Sequence, residues 1–382
     1  MIKKLTLYST SLLAAAAIGA ANAGEVADLS AKDAPVTVAE EPSIYDKIWG
    51  LAHLYSNPDG FWLTDLKLIG RYHGQYVNVD SSRGNFDDWF NRRWRVGAEA
   101  RILGGDWKLK GEINIDPDFD PFYRSLEEAY IAYQPSDAFN LTIGKHKPKW
   151  SYEWATSSRK ILTFERSLIV NSLLPLKSAG ISANGDIDKW SYNAGIFSGA
   201  LDREFGGFDA GIFALTSLGY DLSEGSSLDA SKVRFDYLYN GDSSNNATAA
   251  YRHSFSLNHH LEAGQFSMGT DLLYASGFDG DAWGFVVLPS YKITDKLEVV
   301  ARYSYAHGDN NSLRGGRFAR LVGGIGGGFR GEDHHAIYAG LNYYLYGHKL
   351  KIMNGIQYAD MDVDGGSGYD AWTFFTGVRL YF

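Results

Sequence analysis

The segment Trp372-Thr373-Phe374-Phe375-Thr376-Gly377-Val378-Arg379-Leu380-Tyr381-Phe382 restricts the fold more than any other stretch of the chain. Trp372, Phe374, Thr376, Val378, Leu380 and Phe382 share one parity; Thr373, Phe375, Gly377, Arg379 and Tyr381 share the other. Side chains alternate across a strand, so one face is mostly apolar and the other is mixed and charged. That division suits a strand with lipid on one side and a wetter space on the other, as in a transmembrane barrel.

The pattern recurs from residue 65 onward. Alternating segments fall at 65–79, 90–103, 106–116, 125–134 and 138–147, then at 177–184, 188–198, 209–222 and 230–240, and so on through 248–258 and 260–276 to 371–382. Connections rich in turn residues lie at Gly104-Gly105, Pro135-Ser136, Asn184-Gly185, Asn258-His259 and Gly347-His348. They alternate with stretches, longer on the whole, at 80–89, 117–124, 148–176, 199–208, 241–247, 277–281, 308–333 and 362–370. Short turns at one end and longer loops at the other are expected of outer-membrane barrels. The expected fold is therefore all-β, a transmembrane antiparallel β-barrel of about 16 strands.

The other end of the chain agrees. Lys3 and Lys4, an apolar run to Ala20 and the small residues Ala21 and Ala23 around Asn22 read as a signal peptide over 1–23. Residues 24–60 read as a periplasmic lead-in with a short helix between Ile44 and Tyr55, and 61–382 as the barrel. The absence of Cys excludes disulfides and thiol chemistry. A mean hydropathy of −0.24 resembles that of a soluble protein, but a barrel alternates apolar and polar residues, so its average stays low. The 15% aromatic content fits interfacial girdles. A formal net charge of −9 argues against nucleic acid as a partner.

A charge on the lipid face near the bilayer midplane costs about 2–4 kcal/mol, so the charged parity of each strand must face the lumen. This places Lys67, Arg71, Arg93, Arg95, Arg101, Lys108, Lys110, Arg302, Lys351 and Arg379, among others, inside. Glu99, Glu112, Glu128, Asp236, Asp271 and Glu298 accompany them. The inferred lumen is basic in an acidic chain. The structural alternative is that these cations pair with the lumen acids and stiffen the wall.

Residues 145–177, KHKPKWSYEWATSSRKILTFERSLIVNSLLPLK, combine basic residues with apolar ones such as Trp150, Phe164, Ile169 and Leu173. So much apolar surface should pack, and the nearest surface is the inner wall. Folded inward, the loop would bring Arg159, Lys160 and Arg166 to a constriction; rings of Arg and Lys are the usual device of anion pores.

From Arg92 to Lys177 the chain resembles the phosphate-selective porin O and P family. The resemblance rests on RRWRVGAEARILGGDWKLKGEINI, LEEAYIAYQP and LTIGKHKPKWSYEWATSSRKILTFERSL, with Thr156-Ser157-Ser158 and Phe164-Glu165-Arg166-Ser167 most distinctive. It implies sixteen strands, a homotrimer, an inward-folded third extracellular loop and an anion-conducting pore. The implied anion sites are Arg159, Lys160 and Arg166 of the loop and the Arg of the first two strands. The overall acidity departs from that pattern, and a weakly selective general diffusion porin is the alternative. The partners expected are small anions such as phosphate, outer-membrane lipid and lipopolysaccharide. No cofactor is expected.

Other features carry less. Residues 313–331 hold Arg314, Arg317, Arg320 and Arg330 beside a glycine run, and read as a mobile outside loop. Asp116, Asp118 and Asp120 have spacing that a hard cation could use, without the rest of a calcium loop. His259-His260 and His334-His335 place their rings on opposite faces, which makes poor metal pairs. No G-x-S-x-G or H-E-x-x-H motif occurs, so an enzyme is not expected.

Overall fold

The computed structural model describes residues 41–249, 251–278, 280–322 and 328–382. The expected signal peptide and residues 24–40 of the lead-in lie outside these residues, as does the core of the glycine run, 323–327.

Sixteen antiparallel strands close on themselves. They are β1 Leu63–Ser81, β2 Gly84–Ile102, β3 Trp107–Ile115, β4 Tyr123–Ser136, β5 Phe139–His146, β6 Ser178–Ile187, β7 Trp190–Ser198 and β8 Ile212–Asp221. The rest are β9 Ala230–Asn240, β10 His253–Ala263, β11 Phe266–Ser276, β12 Asp281–Thr294, β13 Leu297–Gly308, β14 Asp333–Tyr346, β15 Leu350–Met361 and β16 Tyr369–Tyr381. Each pairs with its neighbours in sequence, and β16 pairs with β1 from Ala371↔Ser81 to Tyr381↔Arg71. Backbone bonds between Gly70 and Phe382, 3.1 and 3.2 Å, extend that seam. Closure leaves no edge strand unpaired, which the bilayer requires.

The alternation follows the sequence. In β16, Trp372 and Phe374 are about half exposed, while Thr373, Phe375 and Arg379 are buried inside. In β11, Leu272 faces out and Asp271 in.

Several expected boundaries move. The supposed loop 80–89 is a hairpin turning at Ser82-Arg83, because β1 and β2 stay paired as far as Ser81↔Gly84. The expected turn at Asn258-His259 lies within β10; the chain turns at Gly264-Gln265, where Gly264 has φ +58°. The turn expected at Asn184-Gly185 lies at Asp188-Lys189, with Asp188 at φ +51°.

The lead-in helix α1, Ile44–Gly50, is shorter than expected; His53–Ser56 instead adds to β1 as a short strand. A capping box starts α1: Asp46 N–H donates to Ser43 Oγ (3.1 Å) and Ser43 N–H to the Asp46 carboxylate (2.9 Å). Tyr45 stacks on Tyr346 at 5.4 Å, and Trp49 Nε1 donates to Tyr381 O at 2.7 Å. The helix thus braces the turn end of the barrel beside the closing seam.

Candidate functional site

The connection between β5 and β6, residues 147–177, packs against the inner wall. Ser151 caps the short helix α2, Tyr152–Ala155, and Ser167 caps α3, Leu168–Leu173. Trp150, Ile169, Val170 and Leu173 are buried against Phe197, Phe213, Leu215, Leu238, Leu273 and Val286 of the wall. Those wall residues point inward from β7, β8, β9, β11 and β12. Together they form an apolar patch on the lumen wall, which the loop covers and removes from water. Glycines make room: a Cβ at Gly269 would overlap the Tyr152 ring, and one at Gly284 would come within 2.9 Å of Ile169.

The wall grips the loop mainly by its backbone. Asp236 accepts from Ser151 N–H at 2.9 Å, and Asp271 from the N–H groups of Tyr152 (2.8 Å) and Glu153 (3.0 Å). Lys351 donates to Ile161 O at 2.6 Å, Asn342 to Leu162 O at 3.0 Å and Arg302 to Glu165 O at 2.7 Å. Glu153, buried, takes Arg302 at 3.0 Å and the Ser167 N–H at 2.8 Å.

The opposite half, β1 to β5, is charged and densely paired. Glu99 binds Lys67 (2.9 Å) and Lys108 (2.8 Å), and Arg95 meets Glu127 at 2.8 Å. Lys177 bonds both Glu127 and Glu128, and Lys110 bonds Glu128. Two bulges depart from strict alternation. Between His73↔Arg93 and Gly74↔Asn91, Arg92 is the extra residue. Between Glu112↔Glu128 and Ile113↔Leu126, it is Glu127. A bulge puts two successive side chains against one partner position and re-aims them. Arg92 and Arg93 therefore both reach Glu165 of the loop, and Glu127 and Glu128 both face inward. The parity rule alone missed Arg92 and Glu127. The signal was present: two adjacent like charges within a strand cannot alternate without leaving one in lipid.

The nine anticipated site residues do not form one ring. Arg71 is buried beside Ser158 and 3.7 Å from Glu112. Arg159 lies over the Tyr381 ring at 5.2 Å and 3.9 Å from Glu112. Arg101 donates to Gly105 O at the turn, 3.0 Å. Lys108 and Lys110 are held in the pairs above, and Lys160 is exposed. Arg93, Arg95 and Arg166 come together at a cavity of about 700 Å³ above the loop. Arg166 donates to Glu153 O (2.6 Å) and Thr156 O (2.8 Å). Burial, against the pull of Glu153, brings its guanidinium down to about 10.

Eleven Arg and Lys line this cavity against Glu127, Glu165 and Asp202. They include residues not anticipated for the site: Arg92, Lys145, Lys177, Arg203, Arg302, Arg314, Arg317 and Arg320. The last three correct the picture of 313–331 as a mobile outside loop. Its described part folds inward, with Leu313, Phe318, Ala319 and Val322 buried and Phe318 packed on Phe375 at 4.9 Å. Among the described residues no cluster of three acidic or His side chains is placed to hold a metal ion, so Asp116, Asp118 and Asp120 do not converge. His260 stacks on Tyr152 and His335 packs against Tyr305.

A closed sixteen-stranded barrel with a lipid-facing apolar belt, a charged half-lumen and an inserted third loop defines an outer-membrane porin. Residues 67–253 match the family described as phosphate-selective porin O and P. No curated protein matches the chain in sequence. Among solved structures it is similar to a Salmonella typhi OmpF in complex with daunomycin (TM-score 0.57, 12% identity, covering 86% of this chain and 100% of that one). It is also similar to the outer-membrane channel DcaP of Acinetobacter baumannii (0.54, 13%, 86% and 100%). A third is the OmpT outer-membrane protein of Vibrio cholerae in a trimer form (0.53, 14%, 84% and 100%).

Proposed function

We propose that this porin carries small anions, inorganic phosphate among them, by passive diffusion, without making or breaking a bond. The cavity above the third loop, with its eleven cations against three carboxylates, carries this reading. Such an excess lowers the electrostatic barrier to anions and raises their local concentration. The loop 147–177 narrows the passage. The protein assembles as a homotrimer, as the trimer form of OmpT supports, with its outer face in lipid and lipopolysaccharide.

A weakly selective general diffusion porin is favoured by one observation, the pairing of most β1–β5 cations with Glu99, Glu112, Glu127 and Glu128. The zero-current potential of the purified protein in a planar bilayer under a potassium chloride gradient separates the two. An anion-selective potential with phosphate block of chloride current upholds the first. A potential near zero upholds the second.

A further inference from the structure

We infer that the cavity above the third loop selects organic anions with a flat apolar body, Arg317 and Arg320 receiving the carboxylate and a ring cluster receiving the body. This rests on the anion-channel reading and names the class of solute for that same site.

The first observation is where unused donors remain. Arg92 and Arg93 are committed to Glu165, Arg95 to Glu127 and Lys177 to Glu127 and Glu128. Arg166 and Arg302 are occupied in holding the loop. Among the described residues no hydrogen bond or ion pair engages the guanidinium of Arg203, Arg314, Arg317 or Arg320, and of these Arg317 and Arg320 flank Phe318, the ring that packs on Phe375. Arg317 rests over the Phe90 ring at 5.7 Å, and Arg320 Nε is buried without a partner. A buried donor without an acceptor is costly to leave empty, and an entering carboxylate supplies the acceptor.

The second observation is what lies beside them. Phe164 stacks on Phe375 at 4.9 Å, Phe318 meets Phe375 at 4.9 Å, and Tyr338 meets Phe375 at 6.2 Å. All four rings line the cavity. A hydrated inorganic anion beside this wall loses water without gaining donors on that side. An anion with an aromatic body instead places carbon against carbon and keeps its charge at the guanidinium groups. A cavity of about 700 Å³ is ample for such a solute.

The test is block of chloride current through the intact protein in a planar bilayer, with benzoate, acetate and inorganic phosphate compared. Benzoate is expected to block at a concentration about tenfold below that of acetate or phosphate. The advantage should collapse in the double variant Arg317→Gln, Arg320→Gln. Equal potency of benzoate and acetate on the unmodified protein overturns the inference, and that comparison needs no variant. An anion-selective zero-current potential in the same membranes would then leave the channel reading standing. A potential that is not anion-selective overturns both.

Discussion

Glu165 carries more of the site's electrostatics than any cation the sequence singles out. It answers Arg92, also approaches Arg93, and ties the third loop to β2. Burial pushes its carboxyl up, but the two guanidinium groups outweigh this and hold it well below the usual carboxylate range. A carboxylate depressed in the folded state contributes stability above its ordinary value, 4.5, and loses it only as pH falls through the lower folded value. The tie is therefore fully present from pH 7 to pH 5. Glu165→Gln should lower the denaturation midpoint by the same amount at both pH values, through a loss on the order of 3 kcal/mol. It should also free two guanidinium charges toward the cavity. One unit charge about 8 Å away in water is worth about 0.5 kcal/mol, favouring the anion and disfavouring the cation alike, so the chloride-to-potassium permeability ratio should rise about fivefold in zero-current measurements.

At the scale of elements, the third loop is seated by a few wall positions. Asp271 accepts two loop N–H groups, and Asp271→Ala orphans both at about 1–3 kcal/mol each. Gly269→Val forces the Tyr152 ring from its seat, an overpacking of about 1–3 kcal/mol. Both variants should show larger and noisier single-channel conductance than the unmodified protein. The inward path of this loop was legible from Trp150, Phe164 and Ile169, whose apolar surface demanded cover. The inward fold of the described residues 309–322 and 328–332 was not, since Gly and Arg dominate the sequence there and their burial arises from tertiary contacts such as Phe318 on Phe375. The register of β10 was hidden for another reason. His259-His260 imitates a polar turn, and only the seating of His260 against Tyr152 explains why the strand runs on.

Across the whole molecule, sixteen strands were legible because a misplaced charge in lipid carries a large, local penalty that alternation makes visible. The same penalty offers a check on the barrel's orientation. Leu272→Arg, on the lipid face of β11, should lower stability by about 2–4 kcal/mol in urea titrations of vesicle-embedded protein. Arg at Thr373, on the lumen face of β16, should cost distinctly less. The charged half-lumen could be assigned by type but not by partner, since pairing depends on bulges at Arg92 and Glu127. The grip of Asp236, Asp271, Lys351, Asn342 and Arg302 on loop backbone atoms separates the route of the insert from its wording. Loop side chains that do not pack on the wall, such as Lys160, can be rewritten while the scaffold goes on dictating where they stand.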